Sequence, residues 1–217
     1  MRRSNPDRPI KQANEQEEEQ ATRARMLRTA SRLLTTQGYH GTGLSQVLAE
    51  APAPRGSLYF HFPGGKEQLA IEALHKSEAW VTRAVRAALD RDGGGDLRAG
   101  LRAFFDAFAR RLEATGFTEG CPFATVALES GGLSDAVRRA CADAYAGWHA
   151  LFAARLAALV APARAVSLAT LILSSIEGAL VLAKAHRDAG ALRAVADELD
   201  GLLAALPPRS SRPRTSP

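Results

Sequence analysis

Residues 41–69 read GTGLSQVLAEAPAPRGSLYFHFPGGKEQL, which is the most informative stretch of the chain. A short amphipathic helix is predicted over 44–51, with its apolar residues on one face. A tight turn follows at Pro52, and a second short helix is predicted over 54–60. Two short helices joined by a turn of about three or four residues form a helix-turn-helix. Such a motif places its second helix in the major groove of DNA.

The start of the second helix carries candidate contacts to DNA bases. Arg55 lies near its N-terminus, which is the part of a recognition helix that reaches base edges. Gly56 and Ser57 follow, and both are small enough to let the backbone approach DNA closely. These three residues are therefore the predicted base-reading set.

Three residues nearby carry hydrogen-bond donors for phosphate oxygens. They are Tyr59, His61 and Lys66, and Lys66 stands at the start of the next helix, where free N–H groups also favour a phosphate. His61 could instead pack between helices, and Tyr59 could be a core residue with its hydroxyl satisfied. The apolar residues of the same segment are expected to pack inside the domain: Leu58, Phe60 and Phe62.

Helical periodicity runs through most of the chain, and no stretch alternates as a half-buried strand does. About nine helices are predicted, over 21–37, 44–51, 54–60, 66–91, 96–115, 122–129, 134–160, 162–186 and 191–206. The predicted fold class is all-α, with a three-helix helix-turn-helix domain over 21–66 and a helical bundle over 67–206. Residues 1–20 are predicted to be a disordered arm, and the Pro-, Ser- and Arg-rich residues 207–217 a disordered tail.

Charge is unevenly distributed along the 217 residues, whose formal net charge is +5. Residues 21–66 carry six basic side chains and one acidic, whereas residues 67–206 carry fifteen basic and seventeen acidic. The N-terminal segment 21–66, called the head, is basic, and the segment 67–206, called the body, is near-neutral. This distribution favours a head that binds a polyanion and a body with a different role. A solvated, slightly basic surface would give the same counts.

Composition and motifs argue against several other classes of protein. The hydrophobic fraction of 46% and the charged fraction of 24% are ordinary for a globular chain. The most apolar helix contains Glu177, and residues 1–20 lack the apolar core of a secretory signal, so a cytoplasmic protein without a membrane span is predicted. No catalytic or nucleotide-binding fingerprint occurs, and the five His show no metal-ligand spacing. We therefore predict neither an enzyme nor a bound metal or other cofactor.

The stretch 41–69 resembles the DNA-binding head of the TetR family of bacterial transcription regulators. The matching positions are Thr42, Val47, Ala51, Gly56, Leu58, Tyr59, His61, Phe62, Lys66, Glu67 and Leu69. The chain departs from the family pattern at 52–54, where Pro-Ala-Pro replaces Gly-Val-Ser and the usual Ser cap of the recognition helix is absent. The resemblance implies a double-stranded DNA operator as partner. It also implies that Thr42 contacts phosphates together with the three donors named above, while the base-reading set faces the major groove.

Two further motifs are similar to the TetR subgroup typified by lincomycin-resistance and flavonoid-responsive repressors. They are FPGGKEQL at 62–69 and GCPF at 120–123, the latter followed by Ala-Leu-Glu at 127–129. The resemblance implies a repressor that a lipophilic or aromatic small molecule releases from a palindromic operator.

The residues of the body are compatible with a small-molecule site, because aromatic side chains are concentrated in the fifth to seventh helices. Such a stripe is also typical of plain core. The candidate ligand-binding residues are Phe104, Phe105, Phe108, Phe123, Tyr145, Trp148 and Phe152, with Glu129 and Glu177 as polar anchors.

The last two helices carry stripes of small and aliphatic residues that suit close helix packing. The resemblance implies that they pair with their copies in a homodimer, although the same stripes suit the core of one chain. The candidate dimer contacts are Ile172, Ile176, Ala179, Leu180, Leu199 and Leu203. Cys121 and Cys141 leave one alternative function open, a cysteine-based redox-responsive regulator. The competing interpretation is that the two cysteines are buried and chemically inert.

Overall fold

A computed structural model describes residues 8–54, 56–89, 96–129, 132 and 134–206 of the protein. These residues contain nine helices and no strand, which confirms the all-α prediction. The helices are α1 (Arg8–Gly41), α2 (Leu44–Glu50), α3 (Ser57–His61), α4 (Gly65–Leu89), α5 (Leu97–Ala114), α6 (Pro122–Ala127), α7 (Asp135–Leu156), α8 (Pro162–His186) and α9 (Gly190–Ala204). The tail predicted at 207–217 and residues 1–7 of the predicted arm lie outside the described residues.

Helix α1 begins at Arg8, well before its predicted start near Ala21, so residues 8–20 are helical where an arm was expected. That expectation rested on the lack of an apolar stripe. The segment is nevertheless rich in Glu and Gln, which favour helix, and extending an existing helix requires no new nucleation. Gly38, the predicted end of the helix, has a φ of 74° and a ψ of −173°, so the regular helix stops there and a short helical segment follows.

The head of the protein is formed by α1, α2 and α3 around a small apolar core. Met26 of α1, Val47 of α2 and Leu58 of α3 are buried at its centre. Helix α3 begins at Ser57 rather than at Pro54, because the Pro54 carbonyl accepts both the backbone N–H of Ser57, at 3.0 Å, and its hydroxyl, at 2.6 Å.

The body is a bundle of α4 to α9, and α4 joins it to the head by packing against both α1 and α7. Trp148 of α7 is 2% exposed, and its indole N–H donates to Thr82 Oγ1 of α4 at 2.9 Å. At the other side of the bundle, the guanidinium of Arg98 on α5 donates to both carboxylate oxygens of Asp200 on α9, at 2.8 and 2.7 Å. The bundle is therefore held by a buried aromatic centre and a bidentate surface ion pair.

Helix α8 is long and apolar enough to cross a membrane by length and composition alone. One of its faces is buried against α7 and α9, and the helix also carries the partly buried Glu177. These contacts make it a core helix of the bundle.

Candidate functional site

The exposed face of α3 is the candidate surface for DNA. Tyr59 and Phe60 are 64% and 66% exposed, although both side chains are large and aromatic. Phe60 was expected in the core, but Leu58 and Phe62 take the inward positions around this five-residue helix and leave Phe60 outside. Two adjacent exposed aromatic side chains form a patch that a partner surface can cover.

The backbone at the start of α3 is open to approach. Gly56 is the N-cap of α3, and a Cβ added there would meet no atom within 4 Å. The Ser57 hydroxyl already donates its hydrogen to the Pro54 carbonyl, so it can only accept a hydrogen bond from a base. Arg55, the predicted base-reading donor, lies outside the described residues.

Lys66 and His61, the predicted phosphate donors, differ in how accessible their side chains are to a phosphate. The Lys66 ammonium lies 4.6 Å from the centroid of the Tyr39 ring and 3.4 Å from the His40 carbonyl oxygen. Within the described part of the chain it has no carboxylate partner, so its charge remains open to a phosphate. His61 is half-buried and packs edge-on against Phe60, with 5.0 Å between ring centroids.

Thr42 does not fit the phosphate-contact role that the resemblance implies. It is 4% exposed, and its hydroxyl donates to the Gly38 carbonyl at 2.6 Å. Its backbone N–H donates to the Tyr39 carbonyl at 3.2 Å. Because a Thr hydroxyl has one hydrogen, neither donor is left for a phosphate, and Thr42 instead caps the end of α1.

Acidic side chains of α1 flank the candidate surface for DNA. Glu15, Glu18 and Glu19 line an open groove whose other wall is α3 and the turn before it. We call these three residues the acidic ridge. Sequence reasoning missed the ridge because the segment was expected to be disordered. Negative charge beside a DNA-facing helix weakens its attraction for phosphates, and salt screens that effect.

Glu129, predicted as a ligand anchor, lies instead at the junction of body and head. Its Oε2 accepts the backbone N–H of Tyr39 at 2.6 Å and that of His40 at 3.2 Å. Contact here is so close that a Cβ on Gly38 would lie 2.5 Å from Glu129 Oε1. Glu129 lies two residues after the end of α6, so its carboxylate connects α6 to the end of α1 and thereby to the head.

A narrow apolar cavity, in which a water-sized molecule has about 20 Å³ of free space, lies in the body between α4, α5, α7, α8 and the start of α6. The predicted ligand residues that line it are Phe104, Phe108, Trp148, Phe152 and Glu177. Sequence reasoning missed the wall provided by α4 and by the residues around the start of α6, namely Trp80, Val81, Val85, Gly120, Cys121 and Pro122. The sequence of α4 did not reveal that the helix lines a cavity, because its apolar stripe also packs against α1.

The other predicted ligand residues lie outside this cavity. Phe105 and Phe123 are buried in the core at 1% and 0% exposure. Tyr145 borders a separate apolar groove that also includes Glu177. Phe105 and Phe123 therefore fit the other interpretation of the aromatic stripe, in which these side chains are ordinary core residues.

The cavity wall contains one incompletely satisfied polar group. Glu177 Oε2 is buried without a hydrogen-bond partner among the described residues, while the carboxyl group also interacts with Cys121 and Tyr145. Burial raises the pKa of the Glu177 carboxyl, and hydrogen bonds with Cys121 and Tyr145 oppose that rise. An apolar cavity with few polar groups is typical of a small-molecule site, and the unpaired oxygen can accept a donor from a ligand.

The two cysteines are free and buried. Burial, reinforced by the nearby Glu177 charge, raises the pKa of the Cys121 thiol well above its usual range. Burial alone raises the pKa of the Cys141 thiol to about 11. Because the thiolate is the reactive form, both thiols are inert at neutral pH, and the redox alternative is not favoured.

The predicted dimer contacts lie inside a single chain. Ile172, Ile176, Ala179, Leu180, Leu199 and Leu203 are each 8% exposed or less, because these faces of α8 and α9 pack within the bundle. The apolar side chains that α8 leaves exposed are different ones: Val166, Leu171, Val181 and Leu182. The homodimer stays a prediction, and these exposed residues replace the buried ones as its candidate contacts.

Comparison with known proteins matches the head and the body separately. Residues 26–73 match the family described as bacterial regulatory proteins, tetR family, and residues 98–198 match the C-terminal domain of LmrA/YxaF-like transcriptional regulators. The chain is 33% identical over 183 residues to the HTH-type transcriptional regulator LmrA of Bacillus subtilis, across 84% of this chain and 96% of that protein. It is 38% identical over 199 residues to an uncharacterized HTH-type transcriptional regulator of Mycobacterium tuberculosis, across 89% of this chain and 100% of that one.

A related solved structure contains DNA. It is a cysteine mutant of the TetR family transcriptional regulator CifR, complexed with 26-bp double-strand operator DNA. The two chains are 28% identical with a TM-score of 0.71, across 84% of this chain and 95% of that one. The helix-turn-helix head, the helical body and these matches along most of the chain agree, and the protein belongs to the TetR family of DNA-binding transcriptional regulators.

Proposed function

We propose that the protein is a cytoplasmic, homodimeric repressor that leaves a palindromic operator when an aromatic small molecule widens the cavity and fills it. The observation that carries the proposal is the position of α6. Cys121 and Pro122, at its start, line the cavity, and Glu129, just past its end, accepts the backbone N–H groups of Tyr39 and His40. A ligand that displaces the start of this six-residue helix therefore shifts the carboxylate that positions the head.

The proposed DNA contacts divide between bases and backbone. Tyr59 and Lys66 hold phosphates, because both present donors at the surface of the head. The open backbone at Gly56 lets the start of α3 approach base edges, with Ser57, His61 and Phe60 beside it and with Arg55 as the base-reading donor. Neutralising phosphates releases counterions, so affinity should fall with salt by a logarithmic slope of about −0.9 per phosphate contacted.

The proposed dimer forms through the exposed apolar face of α8. Val181 and Leu182 are 51% and 50% exposed, and they border an open apolar groove together with Leu128, which is 81% exposed. The groove also includes Glu177, which lines the cavity. A ligand in the cavity would therefore lie next to the dimer contact, where a small shift changes the separation of the two recognition helices.

Release of the operator by a cavity ligand tests the proposal. The chain has two tryptophans, Trp80 and Trp148, and both line the cavity, so quenching of intrinsic fluorescence selects compounds that enter it. We expect such compounds to lower the affinity for a fluorescently labelled operator. The control variant Val85→Phe fills the cavity and should bind DNA without responding to them. Compounds that quench both tryptophans but leave DNA affinity and half-site separation unchanged would contradict the proposal.

A further inference from the structure

A second groove, lined by charged as well as apolar side chains, continues outward from the apolar cavity. It has a volume of about 260 Å³ and lies between α1, α4, α5 and the segment around the start of α6. The two spaces share Trp80, Val81, Gly120 and Pro122 in their walls. Trp80, which is 39% exposed, therefore stands where the cavity opens into the groove. A molecule that occupies the cavity can extend one end into the groove.

The groove is strongly basic. Four cationic side chains line it against a single acidic one, Glu119. Two of the four are neutralised: Arg32 pairs with Glu50, and Arg111 pairs with Glu119 at 2.6 Å while its guanidinium lies over the Trp80 ring. The other two are Arg28 and Lys76.

Arg28 and Lys76 have no carboxylate partner in the part of the chain that the structure describes. Their charges act on each other, because the pKa of the Lys76 ammonium is lowered by partial burial and by the Arg28 charge. Arg28 belongs to α1 and Lys76 to α4, so the two charges line the groove from two different helices. An anion placed between them would be attracted by both and would relieve their repulsion.

We propose that the inducer is an aromatic anion, a carboxylate or a sulfonate, whose ring lies in the apolar cavity and whose charged group is bound by Arg28 and Lys76. This inference rests on the proposed function, since it assumes that the cavity holds the inducer. The reverse orientation is disfavoured, because an anionic group at the inner wall would face the Glu177 carboxyl. The charged group also joins α1 of the head to α4, so the ligand acts on the head directly as well as through α6.

Two fluorescent probes that share one ring system separate the ring from the charge. 8-Anilinonaphthalene-1-sulfonate carries a sulfonate, and N-phenyl-1-naphthylamine is the same skeleton without it. Both probes should bind the wild-type protein and lose binding in Val85→Phe, which fills the cavity. In the double variant Arg28→Gln/Lys76→Gln, the sulfonate probe should bind about tenfold or more weakly, because its charge-assisted hydrogen bonds are lost. The neutral probe should change by no more than about twofold.

The matched control is Arg83→Gln/Arg86→Gln, which removes the same charge from exposed positions of α4 outside the groove. It should leave both probes unaffected. The inference is overturned if the groove variant keeps its affinity for the sulfonate, if it loses both probes equally, or if the Val85→Phe variant retains the sulfonate. Failure of the wild-type protein to bind either probe would count against the ligand cavity itself. Operator release by both probes with no dependence on Arg28 and Lys76 would leave the proposed function standing and reject only the anion site.

Discussion

Replacing Gly38 by alanine should destabilise the protein by about 4 kcal/mol, and about half of that cost should depend on Glu129. Gly38 has a φ of 74° and a ψ of −173°, a region that costs a residue other than glycine about 1–3 kcal/mol. The added Cβ would also lie 2.5 Å from Glu129 Oε1 and push the carboxylate off the backbone N–H groups of Tyr39 and His40. Hydrogen bonds to a charged acceptor contribute about 1.5–3 kcal/mol, and this partly exposed one falls near 2 kcal/mol.

A double-mutant cycle separates the two costs. Glu129→Ala alone should lose about 2 kcal/mol, because only the carboxylate contacts disappear. The double variant should lose about 4 kcal/mol rather than the additive 6, since residues in contact are energetically coupled. Gly116→Ala is the control: Gly116 has a φ of 58°, but its Cβ would meet no atom within 4 Å, so it should cost about 1–2 kcal/mol whether or not Glu129 is present.

Urea unfolding followed by far-UV circular dichroism measures the free energy of unfolding for all these variants. Costs of Gly38→Ala and Glu129→Ala that add to within about 0.5 kcal/mol would show that the two residues are independent and that the contact does not stabilise the protein. The same dependence on Glu129 in Gly116→Ala would also rule out a specific contact.

Four further outcomes are expected. Both cysteine thiols should resist Ellman's reagent in the native protein at neutral pH and react after denaturation. Since the native pKa of Cys141 is about 11 against an ordinary 9.0, its stabilising contribution should be complete below pH 9 and lost as pH rises toward 11, which alkaline unfolding curves of wild type and Cys141→Ala would measure. Changing the acidic ridge to glutamine should raise DNA affinity about five- to tenfold at low salt in fluorescence anisotropy, and a gain independent of salt would argue against an electrostatic origin. Val181→Asp should give a monomer by sedimentation, because it puts an unpaired charge into the proposed interface; an unchanged dimer would move that interface away from this face of α8.

Local signals made most of the fold predictable from sequence. The Ser134 cap of α7 is confirmed, since its hydroxyl oxygen accepts the Val137 backbone N–H at 3.3 Å. The end of the regular α1 helix at Gly38 is confirmed by its positive φ. The early start of α1 was missed, because a polar segment with high helix propensity shows no apolar stripe.

The details of the candidate site depend on contacts that no local pattern reveals. Glu129 and Tyr39 are 90 positions apart, so their hydrogen bond is invisible in the sequence. Phe60 could not be assigned to a side, because a five-residue helix is too short to show a period. The stripe containing Ile176 and Leu180 suits packing within one chain or between two, and only its burial decides between them.

Capture of sheared genomic DNA by the purified protein, sequenced at moderate salt, measures whether α3 reads a specific DNA sequence. The account predicts enrichment of a single palindromic motif with half-sites one helical turn or a multiple apart, about 34–36 Å per turn. The variant Tyr59→Ala, which removes an exposed side chain of α3, should weaken that enrichment. No enrichment of the wild-type protein over random fragments would contradict the account of α3 as a DNA-reading helix.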